Sequence, residues 1–279
     1  MHRIIKAHLE SFVESCGLGQ HGESTQFEMF VNHAVLASKI CGDFDLDDVT
    51  TGEADDGTDG IAILIDEELF ISDEDATSIF SKDRKNHEVE VVFVQAKRSE
   101  SFDLGDFLKF KESILRFVNS DHYRVDDDVQ NNAHSVFDIS IKNVPKIRDG
   151  KPFLTARFVT TGIYRNPDAL EKAKADFINQ LEELGYFSNI DIEFIGRDEL
   201  TTLWVSTYSG VSAELPMFSN APLPLINGID EAYLVIIKAK DFVHNLLVSE
   251  DGNLRSYIFE ENVRAFLGAD NPGRPEGRN

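Results

Sequence analysis

The sequence predicts an α/β fold, with a mixed sheet core flanked by helices and a second α/β segment after it. Three observations predict it. Apolar runs of strand length alternate with stretches of helical periodicity along most of the chain. The run from Glu88 to Gln95 is apolar without a break through Val91-Val92-Phe93-Val94, the pattern of a strand covered on both faces. Gly60-Ile61-Ala62-Ile63-Leu64-Ile65 is a second such run, and Asp66-Glu67 turns it back into Leu69-Phe70-Ile71 as a hairpin.

The elements follow in order. Ile4, Ile5, Leu9, Phe12 and Val13 carry helical spacing, and Gly17 and Gly19 break it. Glu23-Ser24-Thr25 caps a second helix, built on Phe27, Phe30, Val31, Ala34 and Val35, that ends near Gly42. An acidic loop runs to Thr58. Asp73 to Ser81 reads as a short helix, Phe102 to Asn119 as a longer one after the Ser99-Glu100-Ser101 cap, and Asp127 to Lys142 as another. Beyond Asp149-Gly150 the chain predicts a strand over Phe153–Thr161, an amphipathic helix over Pro167–Leu184 stopped by Gly185, and a strand over Ile190–Ile195. A short helix over Asp198–Val205, a loop from Gly210 to Gly228, a strand over Glu231–Lys238, and helices over Asp241–Val248 and Asn253–Leu267 complete it.

With 279 residues the chain can hold two domains. The expected division is residues 1–150, then 151–268, with a disordered tail from 269 to 279 that has no apolar anchor. Two cysteines, Cys16 and Cys41, sit in no Cys-x-x-Cys pair, which points to a reduced, cytoplasmic chain without structural zinc. No stretch reaches the roughly 18 apolar residues of a membrane helix, and the N-terminus lacks the apolar core of a signal peptide.

The candidate site lies at the ends of the two apolar strands. Asp59 opens the first, while Gln95 and Lys97 close the second and project to one face, since residues i and i+2 of a strand share a side. Neighbouring strands would bring an acid, a neutral oxygen ligand and a lysine to one patch. Phosphodiester hydrolysis needs those types: hard oxygens for Mg²⁺ or Mn²⁺, and a cation to orient water and offset charge growing on the phosphate. Glu28, on the preceding helix beside its apolar face, would complete the metal shell with Asp59 and Gln95. A strand-end lysine and an acidic loop that merely meet solvent are the structural alternative.

Charge argues the other way. The formal net charge is −23, and residues 42 to 75 hold 14 Asp or Glu and no Lys or Arg. A protein that grips phosphates should carry a basic face. Asp55 and Asp56 would recruit metal or simply meet solvent, and the whole segment also resembles an acidic DNA mimic. Other chemistries are excluded more simply. Thr160-Thr161-Gly162 lacks the glycine-rich loop and lysine of a nucleotide-binding loop, and Gly17-Leu18-Gly19 is too short for a dinucleotide fingerprint. Ser206 and Ser209 lack a nucleophile elbow. His33, His87, His134 and His244 are scattered, as surface or helix-face residues are.

Asp56-Gly57-Thr58-Asp59-Gly60-Ile61 and Val94-Gln95-Ala96-Lys97-Arg98-Ser99-Glu100-Ser101-Phe102-Asp103 resemble the N-terminal region of bacterial abortive-infection phage-resistance (AIPR) proteins. Tyr257-Ile258-Phe259-Glu260-Glu261-Asn262-Val263-Arg264-Ala265-Phe266-Leu267-Gly268 is similar to the motif that opens that family's large domain. The resemblance implies phage defence and a restriction-endonuclease-like nuclease domain of the PD-(D/E)xK, Mrr-like kind, with Gln95 where the wider group prefers Glu. It implies Glu28, Asp59, Gln95 and Lys97 as the site, and a large domain cut short. The partners implied are a DNA or RNA substrate, a phage protein or partner chain, and a second copy in a homodimer, with no membrane.

Overall fold

The computed structural model describes residues 1–52, 57–208, 213–224 and 232–248. Five strands form one sheet in the order β2 (Glu68–Leu69), β1 (Gly60–Ile65), β3 (Val89–Lys97), β4 (Phe153–Thr160), β5 (Ile190–Ile195). β1 runs antiparallel to β2 and to β3, and β3, β4 and β5 run parallel. The middle strand is β3, and every residue from Val89 to Ala96 is buried, as its unbroken apolar run requires.

The turn between β1 and β2 has only two residues, Asp66 and Glu67, both at positive φ (55° and 66°). That conformation matches the twist of a two-residue hairpin and strains non-glycine residues. Hydrogen bonds to the Asp66 carboxylate hold it, from Glu88 N at 3.0 Å and His87 Nδ1 at 2.7 Å.

Helices cover both faces, and alternation along the strands sorts the core in two. Ile61, Ile63, Val91, Phe93, Leu154 and Phe158 pack with α3 (Asp73–Ser81), α4 (Leu104–Asn119), α5 (Asp128–Lys142) and α6 (Asp168–Leu184). Ala62, Leu64, Val92, Val94, Ala96 and Val159 pack with α1 (Arg3–Ser15), α2 (Glu23–Leu36) and α7 (Arg197–Tyr208). Each fully buried Val, Leu, Ile or Phe contributes roughly 1.5–3 kcal/mol, so both layers are held mainly by this burial. Gly185 ends α6 at φ +72°, as its sequence position predicts. Two caps differ from the sequence signals: Asp103, not Ser99-Glu100-Ser101, caps α4 by accepting from Asp106 N at 3.0 Å, and α2 begins at Glu23 after Gly22 with no side-chain cap bond. Asp127 caps α5, accepting from Gln130 N at 2.8 Å.

The sheet crosses the division expected at residue 150. Asp149 (φ 59°) and Gly150 (φ 70°) make a tight turn into β4, which is paired to β3 from Glu90↔Phe153 to Lys97↔Thr160. The first compact unit therefore runs from Met1 to Thr207 and the second from Tyr208 to Asn279. A turn signal and a domain linker share the same residues, and only strand pairing separates them. In the second unit, β6 (Met217–Pro222) pairs antiparallel with β7 (Tyr233–Ile237), and α8 (Ala239–Phe242) follows. β6 corrects the loop expected over Gly210–Gly228. The helix expected over Asn253–Leu267 and the tail lie outside the described residues.

Candidate functional site

Asp59 stands one residue before β1, and its backbone is fixed on every side. Gly57 (φ +78°) lies so close to α4 that a Cβ there would come within 2.9 Å of the Lys109 carbonyl. Thr58 Oγ1 donates to Ser113 Oγ at 2.9 Å, and Thr51 Oγ1 donates to Thr58 O at 2.6 Å. Asp59 N donates to Val94 O at 2.8 Å, continuing the β1–β3 ladder. Its carbonyl accepts from Asn32 Nδ2 at 3.0 Å and Thr51 N at 3.3 Å.

Because Gly60 is paired with Val94, Asp59 comes opposite Gln95. Asp59 Oδ2 accepts from Ala96 N at 2.8 Å and from Gln95 Nε2. The two residues separated by 36 positions thus meet directly, as the strand-neighbour argument expects. Burial pushes the Asp59 carboxyl above the usual carboxylate range. The Ala96 N–H, the Lys97 ammonium and the Gln95 amide pull it back, and the Asp106 carboxylate pushes it further up.

Gln95 is 1% exposed, and its Oε1 is buried with no hydrogen-bond partner. A buried carbonyl without a donor costs about 1–3 kcal/mol. Lys97, two residues on, shares its face and is half-buried at the strand end. Both belong to the same side as Val91 and Phe93, toward α4.

Glu28 arrives from the other layer. α2 packs on the Ala62–Val94–Ala96 side of the sheet. Two bonds fix its position along the strands: Arg98 pairs with Glu23 at 2.5 Å, and Asn32 bonds Asp59 O. Glu28 lies between those anchors in sequence, on α2. Its carboxylate accepts from Ser24 Oγ at 3.0 Å. Asp59 and Gln95 touch and Lys97 acts on Asp59 through its charge, while Glu28 stands on the helix that packs against the opposite face of the sheet.

Sequence reasoning missed two residues here. Asn32 is fully buried and seated against Gly60, and Asp106, in the first turn of α4, bears electrostatically on Asp59. The available signal was an Asn one helical turn after Glu28, together with a Gly directly after Asp59. Asp55 and Asp56 lie outside the described residues, as does Ser209. Ser206 Oγ donates to Leu203 O at 2.6 Å, a helix-internal bond. Thr161 and Gly162 tie β4 to the end of β3: Thr161 N donates to Ser99 O at 3.0 Å, and a Cβ on Gly162 would overlap the Glu100 carbonyl. His87, expected on a surface or helix face, is fully buried instead, because the hairpin carboxylate Asp66 needs a donor there.

Among the described residues no three His, Cys, Asp or Glu side chains form a metal-holding group. The donor set at this sheet end is of another kind, a carboxylate beside a buried amide oxygen with no partner. Hard oxygens of that sort fit a divalent cation of the magnesium type. Comparison with protein-family models, with curated proteins and with solved structures finds no match.

Proposed function

We propose that the first unit is a metal-dependent phosphodiesterase acting on DNA or RNA, with a restriction-endonuclease-like core. The observation that carries this reading is the meeting of Asp59 and Gln95 beside Lys97, with the buried Gln95 Oε1 lacking a donor. Asp59, Gln95 and Glu28 would hold Mg²⁺ or Mn²⁺. When bound, the ion supplies an acidified water and offsets charge on the phosphate. Lys97 would orient the attacking water and stabilise the oxygen on which charge develops. The burial of β3 on both faces keeps Gln95 and Lys97 in fixed directions, which positioning chemistry of this kind needs. The AIPR resemblance supports a role in abortive phage defence. Its Val94–Asp103 part runs through the site, while Tyr257–Gly268 lies outside the described residues.

The test is cleavage of plasmid DNA and of RNA with Mg²⁺ or Mn²⁺. Wild type cuts, and Lys97→Ala slows cutting at least ~10²-fold. Equal cutting by the variant overturns the mechanism.

A second reading is an idle nuclease-like module that binds a phage component or partner chain. The net charge of −23 favours it, as does an Asp59 carboxylate already bonded to Ala96 and Gln95. A chain that cuts neither nucleic acid with either metal supports this reading over the first.

A further inference from the structure

We infer that Asn32 is a positioning residue that locks the Glu28-bearing helix to the Asp59 strand end; this rests on the metal-site reading above. Asn32 is 0% exposed, although a buried amide without its full set of partners costs stability and a Leu or Met fits such a place better on apolar grounds. Its Nδ2 donates to the Asp59 carbonyl at 3.0 Å and to Thr50 Oγ1 at 3.0 Å. Its Oδ1 is buried without a partner. Its amide rests directly on Gly60: a Cβ there would lie 2.1 Å from Oδ1 and 2.6 Å from Nδ2. Only glycine admits this contact. The pair Asn32–Gly60 therefore sets the distance between α2 and the start of β1.

That distance matters because of what stands on either side. Glu28 is one helical turn before Asn32 and so faces the same way. Asp59 supplies the carbonyl that Asn32 holds, and its carboxylate meets Gln95. One amide thus ties the helix that carries Glu28 to the residue whose carboxylate meets Gln95, and on the metal-site reading that coupling is what positions the two acids. Asn32 need not touch the cation or the substrate.

The experiment measures Mn²⁺ affinity of the full chain by titration, with thermal midpoint and cleavage kinetics alongside. Asn32→Ala should weaken Mn²⁺ binding at least ~10-fold, the usual consequence of losing a supporting partner, and lower kcat with KM for nucleic acid unchanged. Asn32→Asp preserves volume but loses the donor to Asp59, and should reproduce the loss if the alanine variant fails to fold. Val31→Ala, a fully buried neighbour on α2, provides the control: it should lower the thermal midpoint and leave Mn²⁺ affinity alone. If both Asn32 variants bind Mn²⁺ as wild type does while Asp59→Asn does not, Asn32 is structural only and the metal site stands. If wild type binds no Mn²⁺, the inference and the metal-site reading fall together.

Discussion

The two ends of β3 differ in how their buried acids and amides are partnered. At its N-terminal end three carboxylates, Glu90, Asp66 and Glu88, have lysine, arginine, imidazole or hydroxyl partners. Glu90 takes Lys39 Nζ at 2.5 Å and Thr155 Oγ1 at 2.6 Å, Asp66 takes His87 and Arg84, and Glu88 pairs with Arg148. At its C-terminal end Asp59 has a neutral amide and a backbone N–H as direct partners among the described residues, and burial raises its pKa. Two buried oxygens there, Gln95 Oε1 and Asn32 Oδ1, have no donor. The first end leaves His87 Nε2 buried without a partner, whereas the second leaves two oxygens so placed beside a buried acid. Perturbed acids and unsatisfied buried groups gather where a protein binds or reacts.

The comparison can be broken at either end. The largest effect expected is on activity: Lys97→Ala should slow metal-dependent cutting at least ~10²-fold while leaving the thermal midpoint near wild type, because Lys97 is half-buried at a strand terminus. Loss of folding with loss of activity would make the C-terminal end structural too. Next comes Glu90→Ala, which strands Lys39 and Thr155 beside the core. It should cost about 3 kcal/mol in urea unfolding, at the lower end for a broken buried pair since Lys39 keeps some exposure. Mn²⁺ affinity should not change; a change would mean that the two ends are coupled.

Asp59→Asn is the sharper test. A carboxyl whose folded pKa is raised contributes stability that is present below its unfolded value, near 3.9, and is lost as pH rises through the folded value. Asparagine removes that loss, and a turned-over Gln95 amide can then accept its N–H through Oε1. The variant should therefore be more stable than wild type at pH 7–8, by about 1.4 kcal/mol for each unit of elevation, and the difference should vanish below about pH 4. Thermal midpoints across that range measure it. A less stable variant at neutral pH would mean that the charged carboxylate is itself a structural partner. The smallest effect is Gly185→Ala, far along the chain in the αL cap of α6, which should cost about 1 kcal/mol and leave cutting untouched.

The sequence by itself determined the local elements and the principal pair. Gly60–Ile65, Asp73–Ser81 and Ile190–Ile195 were legible to the residue, because apolar period, caps and turn residues are neighbours along the chain. So was the shared face of Gln95 and Lys97, since strand alternation needs no tertiary information. The tertiary structure decided the rest. That Asp59 faces Gln95 depends on the β1–β3 register, and that β4 and β5 extend the same sheet depends on parallel pairing between residues far apart in sequence, such as Glu90 with Phe153 and Leu154 with Ile190. That Glu28 stands on the opposite layer, on the helix whose Asn32 rests on Gly60, depends on helix-to-sheet packing. These are contacts between residues distant in sequence, and one side chain's pattern carries no record of what packs against it.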